Sequence, residues 1–163
     1  MDDSFYFYAH HLAKRAPVRG FARDHVAPVA AKLDAEGKFL WDNVKGMGEL
    51  GLLGVPWPEE LGGAGLDLTS YIIAIHEMAK VDARHAITIS AHTTLGTSPI
   101  VKFGNDTQRK RYVPLLASGK VLGGFGLTEP SAGSDAGGTR TRAEKRGDRY
   151  ILNGSKIFIT HGG

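Results

Sequence analysis

Tyr112-Val113-Pro114-Leu115-Leu116-Ala117-Ser118-Gly119-Lys120-Val121-Leu122 is the stretch on which the fold turns. Before it, apolar residues recur at helical spacing. After it come short apolar runs and many glycines. Ser118-Gly119-Lys120 supplies the break, since glycine commonly sits just past a helix end. The expected division is an all-helical domain over residues 1–117 and a β portion over residues 118–163.

Toward the N-terminus the pattern predicts a series of helices. Thr107 should cap a helix over Gln108–Leu116, with Tyr112, Leu115 and Leu116 on one face. Ile87–Phe103 is nearly free of charge and reads as one or two buried helices broken near Pro99. Thr69 should cap a helix that turns Ile72, Ile75, Met78 and Ala79 to the core. Gly54–Gly65 carries prolines and glycines at a density that demands an ordered loop. Asp42 should cap a helix that stops at Gly51. A stretch from about Phe21 to Ala35 should start or kink at Pro28, and one over Phe5–Lys14 should end at Ala16-Pro17 and Gly20.

Toward the C-terminus, Val121–Thr128 reads as a strand followed by a glycine-rich turn. Thr139–Lys145 alternates, Gly147-Asp148 makes a turn, and Tyr150-Ile151-Leu152 reads as a strand. Asn153-Gly154 should then turn the chain into a last strand over Ile157–Thr160. So few strands cannot bury a core. The expectation is a mainly α fold followed by the opening strands of a larger β domain, in a chain that is a fragment or borrows its remainder from elsewhere.

Composition narrows the function. Of 163 residues, 42% are hydrophobic and 23% charged, which suits a soluble globular protein. There is no cysteine, which excludes disulfide scaffolds, thiolate catalysis and thiolate metal sites. No apolar run approaches the roughly 18 residues of a membrane span. Met1-Asp2-Asp3 opens the chain without a signal-like block. A soluble, cytoplasmic protein without a membrane partner is expected. The net charge is +3, and Arg109-Lys110-Arg111 reads as a solvated helix face, not a nucleic-acid patch. His76-Glu77 is followed by Lys80, so no zinc-protease helix motif exists, and neither a Gly-x-Ser-x-Gly elbow nor a phosphate-binding loop appears. Gly124-Phe125-Gly126 does not continue into a dinucleotide fingerprint. The seven histidines lack ligand-like spacing, so no metal is expected.

What remains is Gly126-Leu127-Thr128-Glu129-Pro130-Ser131-Ala132-Gly133-Ser134-Asp135-Ala136-Gly137-Gly138, at the handover from helices to strands. Backbone N–H and C=O groups at a strand end can read the edge of a flat heterocycle, and the Thr128 hydroxyl can donate or accept. Small residues at 131–134 let backbone amides gather around an anion, and Ser134 can add its hydroxyl. Asp135 should accept backbone N–H bonds and stabilise the turn. The residues alone fit equally a glycine-rich hairpin loop with no ligand.

Gly126–Gly138, with its Thr-Glu-Pro core and Gly-Ser-Asp, closely resembles a signature of the acyl-CoA dehydrogenase family. Other blocks resemble the family in the same order. They are Gly51-Leu52 with Pro58–Gly63, Phe103-Gly104-Asn105 with Gln108-Arg109, Tyr112–Gly119, and Asn153–Thr160. The similarity runs from about residue 20 onward. Ala91-His92, Leu95-Gly96 and Gly123–Asp135 look most like the short-chain, butyryl-type branch. The resemblance implies an N-terminal helical domain followed by a β-barrel-like middle domain. It implies FAD and an acyl-CoA thioester, with α,β-dehydrogenation as the reaction. It places Phe125 along the flavin, Leu127 and Thr128 at its pyrimidine end, and Gly133 and Ser134 at the pyrophosphate. Ser134 would also lie close to the coenzyme A chain, Phe158 on the ring system, and Thr160 at the reactive nitrogen. No catalytic residue falls in this chain, because the family's base is a glutamate of a C-terminal domain, and Glu129 does not take that role. The resemblance also implies a homotetramer and an electron-transferring flavoprotein as acceptor. A flavin-dependent monooxygenase of the same fold and a non-catalytic module binding acyl-CoA or a partner are the alternatives. Two positions depart from the family pattern: His161 stands where asparagine is usual, and Ser131 where glycine is common.

Overall fold

A computed structural model describes residues 7–162 of the chain. Two compact units divide it, Met1–Gly123 and Gly124–Gly163.

The first unit is helical: α1 (Ala9–Phe21), α2 (Ala27–Ala35), α3 (Trp41–Glu49), α4 (Leu68–Ala79), α5 (Ala83–Ala91), α6 (Ser98–Phe103) and α7 (Asp106–Ala117). The expected helix ends at Ala16-Pro17 and Gly20 do not occur, because α1 runs through Pro17 and Gly20 (Phe5 lies outside the described residues). Helical backbone continues to Ala35 through a wide turn, Ala22–Val26, in which Ala27 N–H reaches back to Ala22 O. A second wide turn, His92–Thr97, joins α5 to α6, with Ser98 N–H bonded to Thr93 O. Each wide turn lies just before a proline, Pro28 or Pro99. A proline has no N–H and its ring displaces the carbonyl four residues back, so the helix absorbs it by a bond that spans one residue more. The expected break near Pro99 is therefore a widening.

Burial explains why the helix tolerates this. Val18, Ala22 and Val26 enter one core with Leu40, Val44, Met47, Leu52, Leu53, Val55, Tyr71, Ala74, Met78, Ala86 and Ile89. A smaller cluster joins Trp57, Leu61 and Val113. On α4 the buried face is Ser70, Tyr71, Ile73, Ala74, Glu77 and Met78, so of the four residues expected there Met78 is buried and Ile75 packs at the core's edge. Ile72 is 53% exposed and Ala79 is exposed. The stripe was misplaced because it includes a charge. Glu77 lies between α1 and α4, and its carboxylate meets Arg15 Nε at 3.2 Å, Arg19 Nε at 2.9 Å and Lys80 Nζ at 3.0 Å. The Arg19 hydrogen bonds, helped by Lys80 and opposed by burial, hold Glu77 ionised, with its pKa pushed down to about 2. On α7 the inward residues are Val113, Leu116 and Ala117, while Tyr112 and Leu115 are each 40% exposed.

The caps differ from expectation as well. Asp67, not Thr69, caps α4, accepting from Ser70 N at 2.8 Å. Asn105, not Thr107, caps α7, in a box with Gln108. Asp42 lies in the first turn of α3, whose capping position is Leu40.

The second unit holds one hairpin, β1 (Arg142–Arg146) and β2 (Arg149–Asn153), antiparallel, with Arg146 opposite Arg149 across the expected Gly147-Asp148 turn. Gly147 has φ +64, which suits a tight turn. Every strand residue is exposed. The expected strands over Val121–Thr128 and Ile157–Thr160 do not form. Ile157 N–H bonds Thr128 O at 2.9 Å between these segments. Left-handed backbone at Phe158 (φ 56) interrupts the second segment, and His161 (φ 62) turns the chain just past it. Among the described residues of this unit only Glu129 and Ala132 are buried. The architecture is thus mainly helical with one short antiparallel sheet.

Candidate functional site

The run Gly126–Gly138 folds around a carboxylate. Glu129 and Ala132 exchange backbone hydrogen bonds at 3.0 and 3.1 Å, closing a tight turn over Pro130-Ser131. The Glu129 carboxylate points back under the loop. It accepts from Arg140 N at 2.6 Å, Thr141 N at 2.9 Å and Lys156 Nζ at 2.8 Å. Lys156 Nζ also donates to Leu127 O at 3.0 Å. These bonds, Lys156 first, hold the Glu129 carboxyl far below the usual carboxylate range. A carboxylate so held is a poor proton acceptor, so Glu129 organises the loop and is no base. The backbone-accepting role expected of Asp135 falls to Glu129 instead. The Asp135 carbonyl accepts from Gly138 N at 3.0 Å. Sequence reading missed Lys156 because its partners lie 27 and 29 residues away.

The nominated residues hang on this frame. Phe125 and Leu127 are exposed, and Thr128 is half-buried with its carbonyl bonded to Ile157. Gly133 and Ser134 are exposed on the turn beyond Ala132. A Cβ at Gly133 would meet nothing within 4 Å, so packing within the protein does not require glycine there. Phe158 is 89% exposed on left-handed backbone, and Thr160 is exposed two residues on. A bulky aromatic on left-handed backbone and bare to solvent offers a face that a ligand or further protein surface can cover. The Lys156 bonds to Leu127 and Glu129, with the Ile157–Thr128 bond, tie the segment carrying Phe158 and Thr160 to the one carrying Leu127 and Thr128. The open space at Gly133, the uncovered aromatic and the free-standing hydroxyls fit a flat heterocycle with an anionic tail.

Among the described residues, His10, His11 and Asp67 alone form a histidine–carboxylate group close enough to ligate a metal. Their bonding belongs to a helix cap. His11 Nδ1 accepts from Tyr8 N at 3.1 Å, so Nε2 carries the proton and donates to Asp67 at 2.7 Å. Among the described residues no helix is long and apolar enough to cross a membrane.

Comparison with known proteins bears on both units. The acyl-CoA dehydrogenase N-terminal domain matches residues 9–120 and the acyl-CoA dehydrogenase middle domain matches residues 124–163. An acyl-CoA dehydrogenase of Bacillus subtilis is 52% identical over 149 residues, covering 91% of this chain and 39% of that protein. A short-chain-specific acyl-CoA dehydrogenase of Clostridium acetobutylicum is 48% identical over 149 residues, again 91% of this chain and 39% of that protein. The crystal structure of an acyl-CoA dehydrogenase complexed with FAD from Bacillus anthracis superposes with a TM-score of 0.86 at 39% identity, over 94% of this chain and 27% of that one. The chain spans about two fifths of the length of the two curated relatives. With the helical unit and the Glu129-centred loop each matched by its own family model, the chain belongs to the acyl-CoA dehydrogenase family.

Proposed function

We propose that this chain supplies the N-terminal helical domain (residues 1–117) and the opening of the middle domain (residues 118–163) of an FAD-dependent acyl-CoA dehydrogenase that desaturates short-chain acyl-CoA thioesters. The observation that carries the reading is Phe158, held out on left-handed backbone with 89% of its surface bare. The relatives named for the same activity support it, as does the one solved with FAD.

The bound flavin would supply the oxidant that takes the hydride from the β carbon. This chain's residues bind and orient. The carbonyls of Leu127 and Thr128 already accept bonds from Lys156 and Ile157, so N–H groups of the run and the Thr128 hydroxyl would meet the pyrimidine edge. Phe125 and Phe158 would cover ring surface and exclude water. Thr160 would present its hydroxyl to the reactive nitrogen. Gly133 and Ser134 would let the backbone approach the pyrophosphate, with Ser134 beside the coenzyme A chain. The proton at the α carbon would go to a base outside these 163 residues, and the acceptor of the electrons would be an electron-transferring flavoprotein. A homotetramer and a location in the cytoplasm complete the reading.

Phe158→Ala tests it. Loss of one aromatic contact should weaken FAD binding about ten-fold, measured by quenching of flavin fluorescence, with helicity unchanged. Equal affinity in both proteins would remove Phe158 from the site.

A further inference from the structure

Within the second unit, Lys156 lies along the run Gly126–Glu129. Its ammonium donates to Leu127 O at 3.0 Å and to the Glu129 carboxylate at 2.8 Å. Its stem passes close to Gly126, where an added Cβ would fall 3.3 Å from Lys156 Cγ. The next residue, Ile157, donates its N–H to Thr128 O at 2.9 Å. Residues 156 and 157 thus hold two successive carbonyls of the run, one by a side chain and one by the backbone.

The peptide plane turns that hold into a direction. In a trans peptide the C=O and the N–H of one unit point opposite ways. Leu127 O faces Lys156, so Thr128 N–H, in the same unit, points away from it. Glu129 N–H, in the next unit, is taken by Ala132 O at 3.0 Å. Thr128 N–H donates to no group among the described residues. A cation bonded to the carbonyl end of a peptide also makes the N–H at the other end a stronger donor, because hydrogen-bonded groups in series polarise one another.

We infer that Lys156 is a positioning residue for the flavin: through Leu127 O it aims the Thr128 N–H at the pyrimidine edge and strengthens it as a donor. What that N–H meets rests on the flavin reading above; the hold on Leu127 O stands on the hydrogen bonds. A flavin ring gains electron density on reduction. A donor strengthened from behind and fixed in place therefore favours the reduced ring over the oxidised one. Lys156 touches neither ring nor substrate and acts through the Leu127–Thr128 peptide.

Three variants of the protein expressed from its complete reading frame test this. Lys156→Met keeps most of the stem and loses both bonds. Lys156→Gln keeps a neutral donor that ends one atom short of the ammonium. Lys156→Arg keeps a charged donor. FAD affinity should fall about ten-fold in Lys156→Met. The potential of the flavin that still binds should fall by about 30 mV, the two-electron equivalent of a further ten-fold loss for the reduced ring. Lys156→Arg should recover most of both. Hydrogen exchange at the Ile157 amide, which is bonded to Thr128 O, should speed about ten-fold in Lys156→Met. Affinity and potential unchanged in Lys156→Met overturn the inference. Weaker binding with the potential unmoved makes Lys156 a strut of the loop and overturns the positioning role. A parent that takes up no FAD defeats the flavin reading alone; the Ile157 amide then decides the hold on the run, and an unchanged rate in Lys156→Met overturns it. Should Lys156→Met fail to fold, Lys156→Gln is read in its place, with the same shifts expected and the same results contradicting them.

Discussion

At the scale of single residues, buried polar groups carry much of the organisation. His85 is fully buried between α5 and α3. Asn43 Nδ2 donates to its Nε2 at 2.9 Å, so Nδ1 carries the proton and donates to Asp82, the capping residue of α5. Burial pushes the His85 pKa down, and the Asp82 contact offsets this only in part, with Arg84 adding to the lowering. Folding therefore favours the neutral ring. Its contribution is fully present above the unfolded value of about 6.5 and is lost as pH falls below that value toward the lower folded pKa. Between pH 7 and 5, urea unfolding should show stability declining by up to about 1.4 kcal/mol per pH unit from this group. His85→Gln should flatten that slope, and an equal slope in the variant would mean another group is responsible. None of this was legible in sequence, where His85 is one of seven scattered histidines. Glu77 was hidden in the same way, since a carboxylate in an apolar stripe reads as a surface position until Arg15 and Arg19 arrive from another helix.

At the scale of elements, the helices were legible and their ends less so. The stop at Gly51 marked α3, and periodicity found α4 and α7 because each needs one buried face. It could not find α1 beyond Pro17, since the packing of Val18, Ala22 and Val26 outweighs the cost of the proline. Caps failed by two residues at Thr69 and Thr107 because an acceptor must sit where its oxygen reaches the third amide on, as Asp67 and Asn105 do. The Asn-x-x-Gln spacing at Asn105 and Gln108 was the available signal. Asn105→Ala should cost about 1 kcal/mol in urea unfolding, and Asn105→Asp should restore most of it. A neutral Asn105→Ala would show that packing alone defines the start of α7. The second unit was read least well. Glycine and small residues gave its turns, but whether Ile157–Thr160 pairs as a strand depends on neighbours, and left-handed backbone at Phe158 prevents it here.

At the scale of the whole molecule, the two units differ in what they can hold together unaided. The helical unit has a continuous core. The second unit has a hairpin exposed on every residue and a loop knotted around Glu129. An isolated hairpin is marginal in water, so its loop geometry rests on the Glu129 and Lys156 bonds. The family was legible in the sequence because the blocks that shape this loop and the helices before it recur in one order. The geometry of the nominated flavin residues was not, because it depends on Lys156 joining segments far apart in the chain. The most direct measurement is the visible spectrum of the protein expressed from its complete reading frame, before and after a short-chain acyl-CoA is added without an electron acceptor. The account predicts bound flavin whose absorption bleaches on addition. A colourless protein that takes up no FAD when it is supplied would contradict it.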